Sequence, residues 1–253
     1  MDLYGPSSLK PLKMLQSLVN ALYMQGLQKE SGSLAEKCYE GFKKLHGPDH
    51  METANSLVFL ARCKEGTRAR DLWSLVVEGY TKLSGPSSDQ TLSAKRSLLA
   101  FYIQVKQWPQ ARAFAQAIYA GQREKKGPLD SETMTALNEY ANFSYQARDF
   151  YAARDAYQEL YDRSVEIIGS GHPATLLALY MVAACVHKEA LALCHGDDPI
   201  RQRRQQNKLK EARDLFQRVY QGRREALGVV HEDTEEVRRR LRWYEDKIDE
   251  FGH

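Results

Sequence analysis

The chain has 253 residues, 43% of them hydrophobic and 27% charged, and 36 Lys and Arg against 33 Asp and Glu leave a formal charge of +3. This is the composition of a globular chain long enough to bury a core, and it excludes the collagen-like and intrinsically disordered classes. So small an excess of positive charge leaves any nucleic-acid or membrane contact to a local patch. The opening MDLYGPSSLKPLK has neither the apolar stretch nor the small-residue cleavage site of a secretory signal, so the expected location is the cytoplasm, with the nucleus as the alternative. The most apolar run, Ala174 to Val186, is closed by Lys188 and Glu189. It falls short of the roughly 20 residues a membrane-spanning helix needs, so no membrane is expected among the partners.

Internal similarity decides the fold class. Gly-Pro recurs at Gly5, Gly47, Gly85 and Gly127, and Thr stands six residues after Gly47, Gly85, Gly127, Gly169 and Gly228. From Gly5 onward these glycines lie 42, 38, 42, 42 and 59 residues apart. A second register agrees: an Ala-Arg pair opens ARDLW, ARAFA, ARDAY and ARDLF at Ala69, Ala111, Ala153 and Ala212. Units therefore start near residues 5, 47, 85, 127 and 169, and the 59-residue unit carries 17 extra residues around 191–206. The first unit departs most, with Pro11 where the others have Thr and AEKCY at Ala35 in place of the Ala-Arg pair.

Taken in chain order, each unit predicts two helices. Glycine suits the residue just past a helix end, and the proline after it prevents continuation. Three residues on stand His50, Ser88, Asp130, His172 and His231, where the next helix is expected to start; Ser and Asp are good caps, and Pro173 suits a first turn. Leu57, Leu60 and Ala61, then Leu137, Tyr140 and Ala141, then Leu179, Val182 and Ala183 keep the i, i+3, i+4 spacing of a buried stripe. In each second helix the recurrent Ala allows close approach of its partner, and Trp73, Tyr157 and Phe216 occupy equivalent places that mark packing rather than base stacking. Residues 229–251 read as a charged terminal helix closing the stack, and no segment has the period of a strand.

The 42-residue spacing, with Gly169-Ser-Gly-His-Pro-Ala-Thr175 before a first helix, resembles the tetratricopeptide repeat over about residues 5–253, and looks most like its kinesin-light-chain type. That resemblance implies an all-α, right-handed superhelical solenoid of antiparallel helix pairs. About five pairs and the terminal helix would form a single domain over residues 1–253. Lys95 and Arg238, standing where other units have Leu, and the 17-residue insertion depart from the pattern.

A solenoid displays the first helix of each pair on its concave face, and such faces commonly bind another chain. Counting 8, 11, 15 and 18 residues from each glycine selects Asn55 and Arg62, then Arg96, then Asn138, Asn142 and Tyr145, then Tyr180 and His187 as the partner-binding candidates. Asn138 and Asn142 lie one turn apart, and a carboxamide both donates to and accepts from a peptide backbone. In the family, asparagines and basic residues on this face hold peptides. Arg62 and Arg96 offer bidentate contacts to a carboxylate or phosphate, which favours an acidic or phosphorylated protein or peptide partner. The expected function is thus a non-catalytic interaction module or scaffold. The alternative is an RNA- or DNA-associated factor using the basic stretch 201–210, with Arg201, Arg203 and Arg204 on phosphates; compensating acids nearby make that the lesser reading.

Enzymatic activity is not expected, because no G-x-S-x-G, P-loop, G-x-G-x-x-G or H-E-x-x-H is present. No cofactor is implied. Cys194-His-Gly-Asp-Asp198 holds metal-capable side chains, but consecutive loop residues rarely converge on one ion and Gly-Asp-Asp-Pro is ordinary turn chemistry, so no metal is expected. Cys38, Cys63, Cys185 and Cys194 lack CxxC spacing and read as free, mostly buried thiols, Cys194 the more exposed.

Overall fold

The computed structural model describes residues 8–193 and 198–250. Among them it has eleven α-helices and no strand. They are α1 (Leu9–Met24), α2 (Gln28–His46), α3 (Met51–Arg62), α4 (Gly66–Ser84), α5 (Asp89–Gln104), α6 (Trp108–Lys126), α7 (Ser131–Gln146), α8 (Phe150–Ile168), α9 (Pro173–Ala192), α10 (Pro199–Leu227) and α11 (Glu232–Glu250). The helices form five pairs and a final single helix, which is the expected all-α helix-pair fold.

What ends each pair is a backbone conformation. Gly47, Gly85, Gly169 and Gly228 have φ between 86 and 90° and ψ between 159 and 173°, a region essentially restricted to glycine. Each glycine N–H closes the preceding helix on the carbonyl four residues back. The carbonyl of the same glycine is then taken by the threonine six residues on: Thr53, Thr91 and Thr175 donate to Gly47, Gly85 and Gly169 at 2.7, 2.8 and 2.8 Å. This bond is the physical content of the recurrent Gly-to-Thr step. In the other two units the hydroxyls of Thr133 and Thr234 are buried without a partner among the described residues. The next helix is capped as the sequence predicts. Ser88 and Asp130 accept backbone N–H bonds through oxygen, and His50, His172 and His231 accept theirs through Nδ1, each from the residue two further on.

The helices differ in length by nearly whole turns. First helices have 16 residues in α1, α5 and α7, but 12 in α3 and 20 in α9. The 38-residue unit has therefore lost one turn of α3, since a turn takes 3.6 residues. Second helices have 19 residues in α2, α4, α6 and α8 and 29 in α10. The insertion expected around 191–206 resolves accordingly: four residues lengthen α9, ten lengthen α10 and three lengthen the connection between them. Cys194, His195 and Asp197 lie outside the described residues.

By packing, the chain divides into two compact units, residues up to Lys125 and from Lys126 on. In the first, α1 to α5 pack in series and α1 also packs on α3. The core is built on Val19, Ala35, Leu57, Leu60, Val76 and Tyr80, with Leu12, Cys38 and Phe42 as a smaller cluster. In the second, α7 to α11 pack in series, and Leu179, Ala183, Val186, Leu209, Phe216, Val219, Val237, Leu241 and Tyr244 form the core. The Ala-Arg alanines Ala111, Ala153 and Ala212 are fully buried. Cys38, Cys63 and Cys185 are free and buried, and burial pushes the Cys38 and Cys185 thiols up to about 11 and 12.

Helix α9 differs from the sequence expectation. At 20 residues it is long and apolar enough, by length and composition alone, to cross a membrane. Eleven of those residues are buried inside the second unit, which gives the apolarity a packing cause. The added turn also carries Glu189, whose side chain is 1% exposed and whose Oε2 takes Arg154 of α8 at 3.0 Å and Lys208 of α10 at 3.1 Å.

Helix α11 turns Val237, Leu241 and Tyr244 inward and Arg238, Arg239 and Arg242 to solvent. Arg238 can stand where other units have Leu because the inward place has passed to Val237; it pairs instead with Glu235 at 3.1 Å. Lys95, the other departure, sends its ammonium to the Pro86 carbonyl at 3.0 Å. The contacts of α11 on α9 are specific. Tyr180 donates to Glu236 at 2.7 Å, with the guanidinium groups of Arg223 and Arg240 4.9 and 5.3 Å from its ring centre. A 2.7 Å hydrogen bond joins Tyr244 to His187 Nδ1, and the Trp243 ring meets the same imidazole edge-on. Burial, aided by Lys188 and Arg240, lowers His187 from its ordinary 6.5 to about 4, so the ring is neutral in the fold.

Thr175→Val removes the bond to Gly169 and is expected to cost about 1 kcal/mol, whereas Thr133→Val removes a buried hydroxyl without a partner and is expected to be neutral or stabilising; equal shifts of the urea midpoint in the two variants would contradict this. His187 binds a proton in the unfolded chain below about 6.5 but in the folded chain only below about 4, so its contribution is full above 6.5 and is lost as pH falls through that window. Allowing for its partial exposure, about 1–2 kcal/mol should disappear. Urea midpoints measured between pH 7.5 and 4.5 should fall less steeply in His187→Gln, and parallel curves would refute the assignment.

Candidate functional site

Both units hold a cleft between successive first helices, and the two clefts share four wall positions of the repeat. In the second unit a cleft of about 500 Å³ lies between α7 and α9 over α8. Met134, Thr135, Asn138 and Asn142 form one wall, Ala174, Leu177, Ala178 and Met181 the other, and Tyr157, Leu160 and Ser164 the floor. In the first unit a cleft of about 530 Å³ has Gln16, Ser17 and Asn20 of α1 on one wall, Asn55, Val58, Phe59 and Arg62 of α3 on the other, and Tyr80 of α4 at its base.

Counted from the unit glycine, the first wall carries carboxamides at the eleventh and fifteenth residues in both clefts: Gln16 and Asn20, and Asn138 and Asn142. Asn138, Asn142 and Asn20 are exposed and Gln16 half-buried. An i, i+4 pair of carboxamides on a rigid helix presents two donors and two acceptors at a fixed spacing, which suits the alternating N–H and C=O of an extended chain. The facing wall, at the eighth and twelfth residues, is Asn55 and Phe59 in one cleft and Leu177 and Met181 in the other.

Charge separates the clefts. The first has the exposed Arg62, which makes no ion pair among the described residues and lies 6.0 Å from the Tyr23 ring centre. Beside it Tyr80 donates to Asn55 Oδ1 at 2.8 Å, which fixes the amide orientation; burial raises the Tyr80 phenol above its usual range. Among the described residues, no ionisable carboxyl, amine or guanidine lines the second cleft.

The structure thus brings Asn55 together with Arg62, and Asn138 with Asn142. Arg96 is half-buried on α5 and lines neither cleft, and Tyr145 sits at the α7–α8 elbow with its ring edge-on to Phe150. Tyr180 and His187 hold α11, so their polar atoms already have partners. Arg201, Arg203 and Arg204 are exposed on the first turns of α10. Sequence reasoning passes over Gln16, Asn20, Phe59, Leu177 and Met181. The same count of residues finds the first two once α1 is placed in register, and the twelfth position finds Phe59 and Met181.

Comparison with known proteins matches these units. The family model of the tetratricopeptide repeat matches residues 12–52, 133–174 and 204–233, and each match ends five residues past a unit glycine. A search of curated proteins finds no match. Among solved structures, a putative kinesin light chain of nearly identical TPR-like repeats from Podosopora anserina is 17% identical with a TM-score of 0.56, over 90% of this chain and 99% of that one. A point variant of the same protein matches at 17% identity and a TM-score of 0.55, over 89% and 98% of the two chains. BtubC (BKLC) from P. vanneervenii is 14% identical with a TM-score of 0.50, over 87% and 82%. With the glycine and alanine registers, the helix pairs and the matched segments in agreement, residues 12–52, 133–174 and 204–233 are similar to tetratricopeptide repeats, and the chain shares the helix-pair fold of the putative kinesin light chain structures.

Proposed function

We propose that this protein is a non-catalytic, cytoplasmic scaffold that binds an extended peptide segment of a partner protein in the clefts between its first helices. Repeats of this fold support a protein-interaction role in general. The observation that carries the finer reading is the carboxamide pair at identical positions in both clefts, Gln16 with Asn20 and Asn138 with Asn142. Helical walls keep these groups in place before the partner arrives, so most of the ordering entropy of binding falls on the peptide. In the first cleft, Arg62 favours a carboxylate or phosphate on the partner.

A second reading rests on α10. Arg203 and Arg204 are exposed and have no partner among the described residues, and with Arg201 they would meet phosphates of a nucleic acid. Affinity of that kind falls steeply with salt, and neutralising these arginines would flatten the slope.

The deciding experiment is an affinity pull-down from cell extract with wild type and the Asn138→Ala/Asn142→Ala variant, each with and without nuclease, after circular dichroism has shown equal helicity. A protein retained by wild type, resistant to nuclease and lost from the double variant is the expected result. Nuclease-sensitive material that the double variant retains would transfer the function to α10.

A further inference from the structure

One packing contact of the repeat is missing at the second cleft. In three units the seventh residue after the glycine is a leucine seated directly on a glycine of the paired helix. A Cβ built on Gly41, Gly121 or Gly222 would lie 2.4, 2.7 or 2.5 Å from Cδ2 of Leu12, Leu92 or Leu176. In the unit from Gly127 the leucine is replaced by Met134 and the glycine by Arg163. Arg163 occupies its site firmly: its guanidinium donates to the Pro128 carbonyl at 3.2 Å and pairs with Glu159. Met134 therefore has no glycine surface to close upon and stands in the cleft wall.

Across the cleft, Leu177 is 53% exposed although the stripe of α9 beside it is buried. An exposed leucine with Met181 beside it, facing Met134 across a concavity of about 500 Å³, is a surface whose apolar area remains in contact with water. Methionine adapts its flexible side chain to whatever fills such a space. With no charged group in the described lining, a carboxylate or phosphate entering here would lose hydration and gain no counter-ion.

We propose that this cleft is the receptor for an uncharged apolar side chain, leucine- or phenylalanine-sized, borne by the extended segment that Asn138 and Asn142 hold, and that the Met134/Arg163 exchange is what opens it. The inference rests on the peptide-binding reading above and adds to it the chemistry of the side chain selected. The acidic preference belongs to the cleft of Arg62.

Methionine methyl groups give a direct test, because the chain has only six methionines and two of them, Met134 and Met181, line this cleft. The protein carrying ¹³C-methyl methionine is titrated with capped serine pentapeptides whose central residue is leucine, phenylalanine, alanine, aspartate or phosphoserine. The leucine and phenylalanine peptides should move the Met134 and Met181 resonances saturably, at least tenfold more tightly than the other three, with Met14, Met24 and Met51 unmoved. Leu177→Asp should abolish the response; this residue is largely exposed, so the fold does not depend on it. Met134→Leu combined with Arg163→Gly should refill the cleft and abolish it too, with the Met181 signal as reporter. Equal responses to aspartate or phosphoserine, or no response to any peptide, would overturn the apolar selection. If the pull-down still depends on Asn138 and Asn142, the groove survives that failure; if both fail, the groove itself is refuted.

Discussion

The structure depends on one backbone constraint, the left-handed glycine that ends each helix pair. At φ near 90° the chain leaves the second helix in a direction no L-residue with a side chain adopts readily, and the glycine carbonyl then becomes the anchor for the next first helix through threonine. Stop and start are thereby joined in six residues. Because packing within each unit runs mainly between chain neighbours, the angle set at each glycine decides which side chains meet. The stripes of Leu57, Leu137 and Leu179 and the walls of both clefts are consequences of that angle.

The clefts show how a repeat becomes specific. The carboxamide positions are kept on α1 and α7, while the facing wall changes from Asn55 and Phe59 with Arg62 to Leu177 and Met181. The common part is polar; the variable part differs in charge and apolarity. A rigid scaffold can alter one without moving the other, since Leu12 of α1 and Leu176 of α9, which seat on glycines of their paired helices, are not among the cleft-lining residues.

Much of this is legible in the sequence, and for a local reason. Gly-to-Thr spacing, the capping Ser88, Asp130 and His172, and the recurrent Ala111, Ala153 and Ala212 each act within one turn or between adjacent helices, so a single repeat carries their signature. Asn138 and Asn142 emerge the same way. Gln16 and Asn20 escape because their unit lacks the threonine and the Ala-Arg pair that set the count. Tyr180 and His187 read as open groove residues because their partners Glu236 and Tyr244 are 56 and 57 residues away, on a helix whose inward face has slipped by one position. The insertion reads as a separate basic segment because RQRRQQNKLK has too few apolar residues to show the period of the helix it extends.

The added turn of α9 has a further consequence, which is angular. Four residues advance a helix by about 400°, so each inserted turn leaves the face about 40° out of phase with where it began. The drift carries a glutamate into a position that is otherwise interior, and the carboxylate of Glu189 is held there by one cation from the preceding pair, Arg154 of α8, and one from the lengthened helix, Lys208. Losing either partner would leave buried charge undercompensated, a heavy penalty in such a site. The lengthening of α9 is therefore coupled to that of α10, and neither extension could be moved alone to another repeat of this chain.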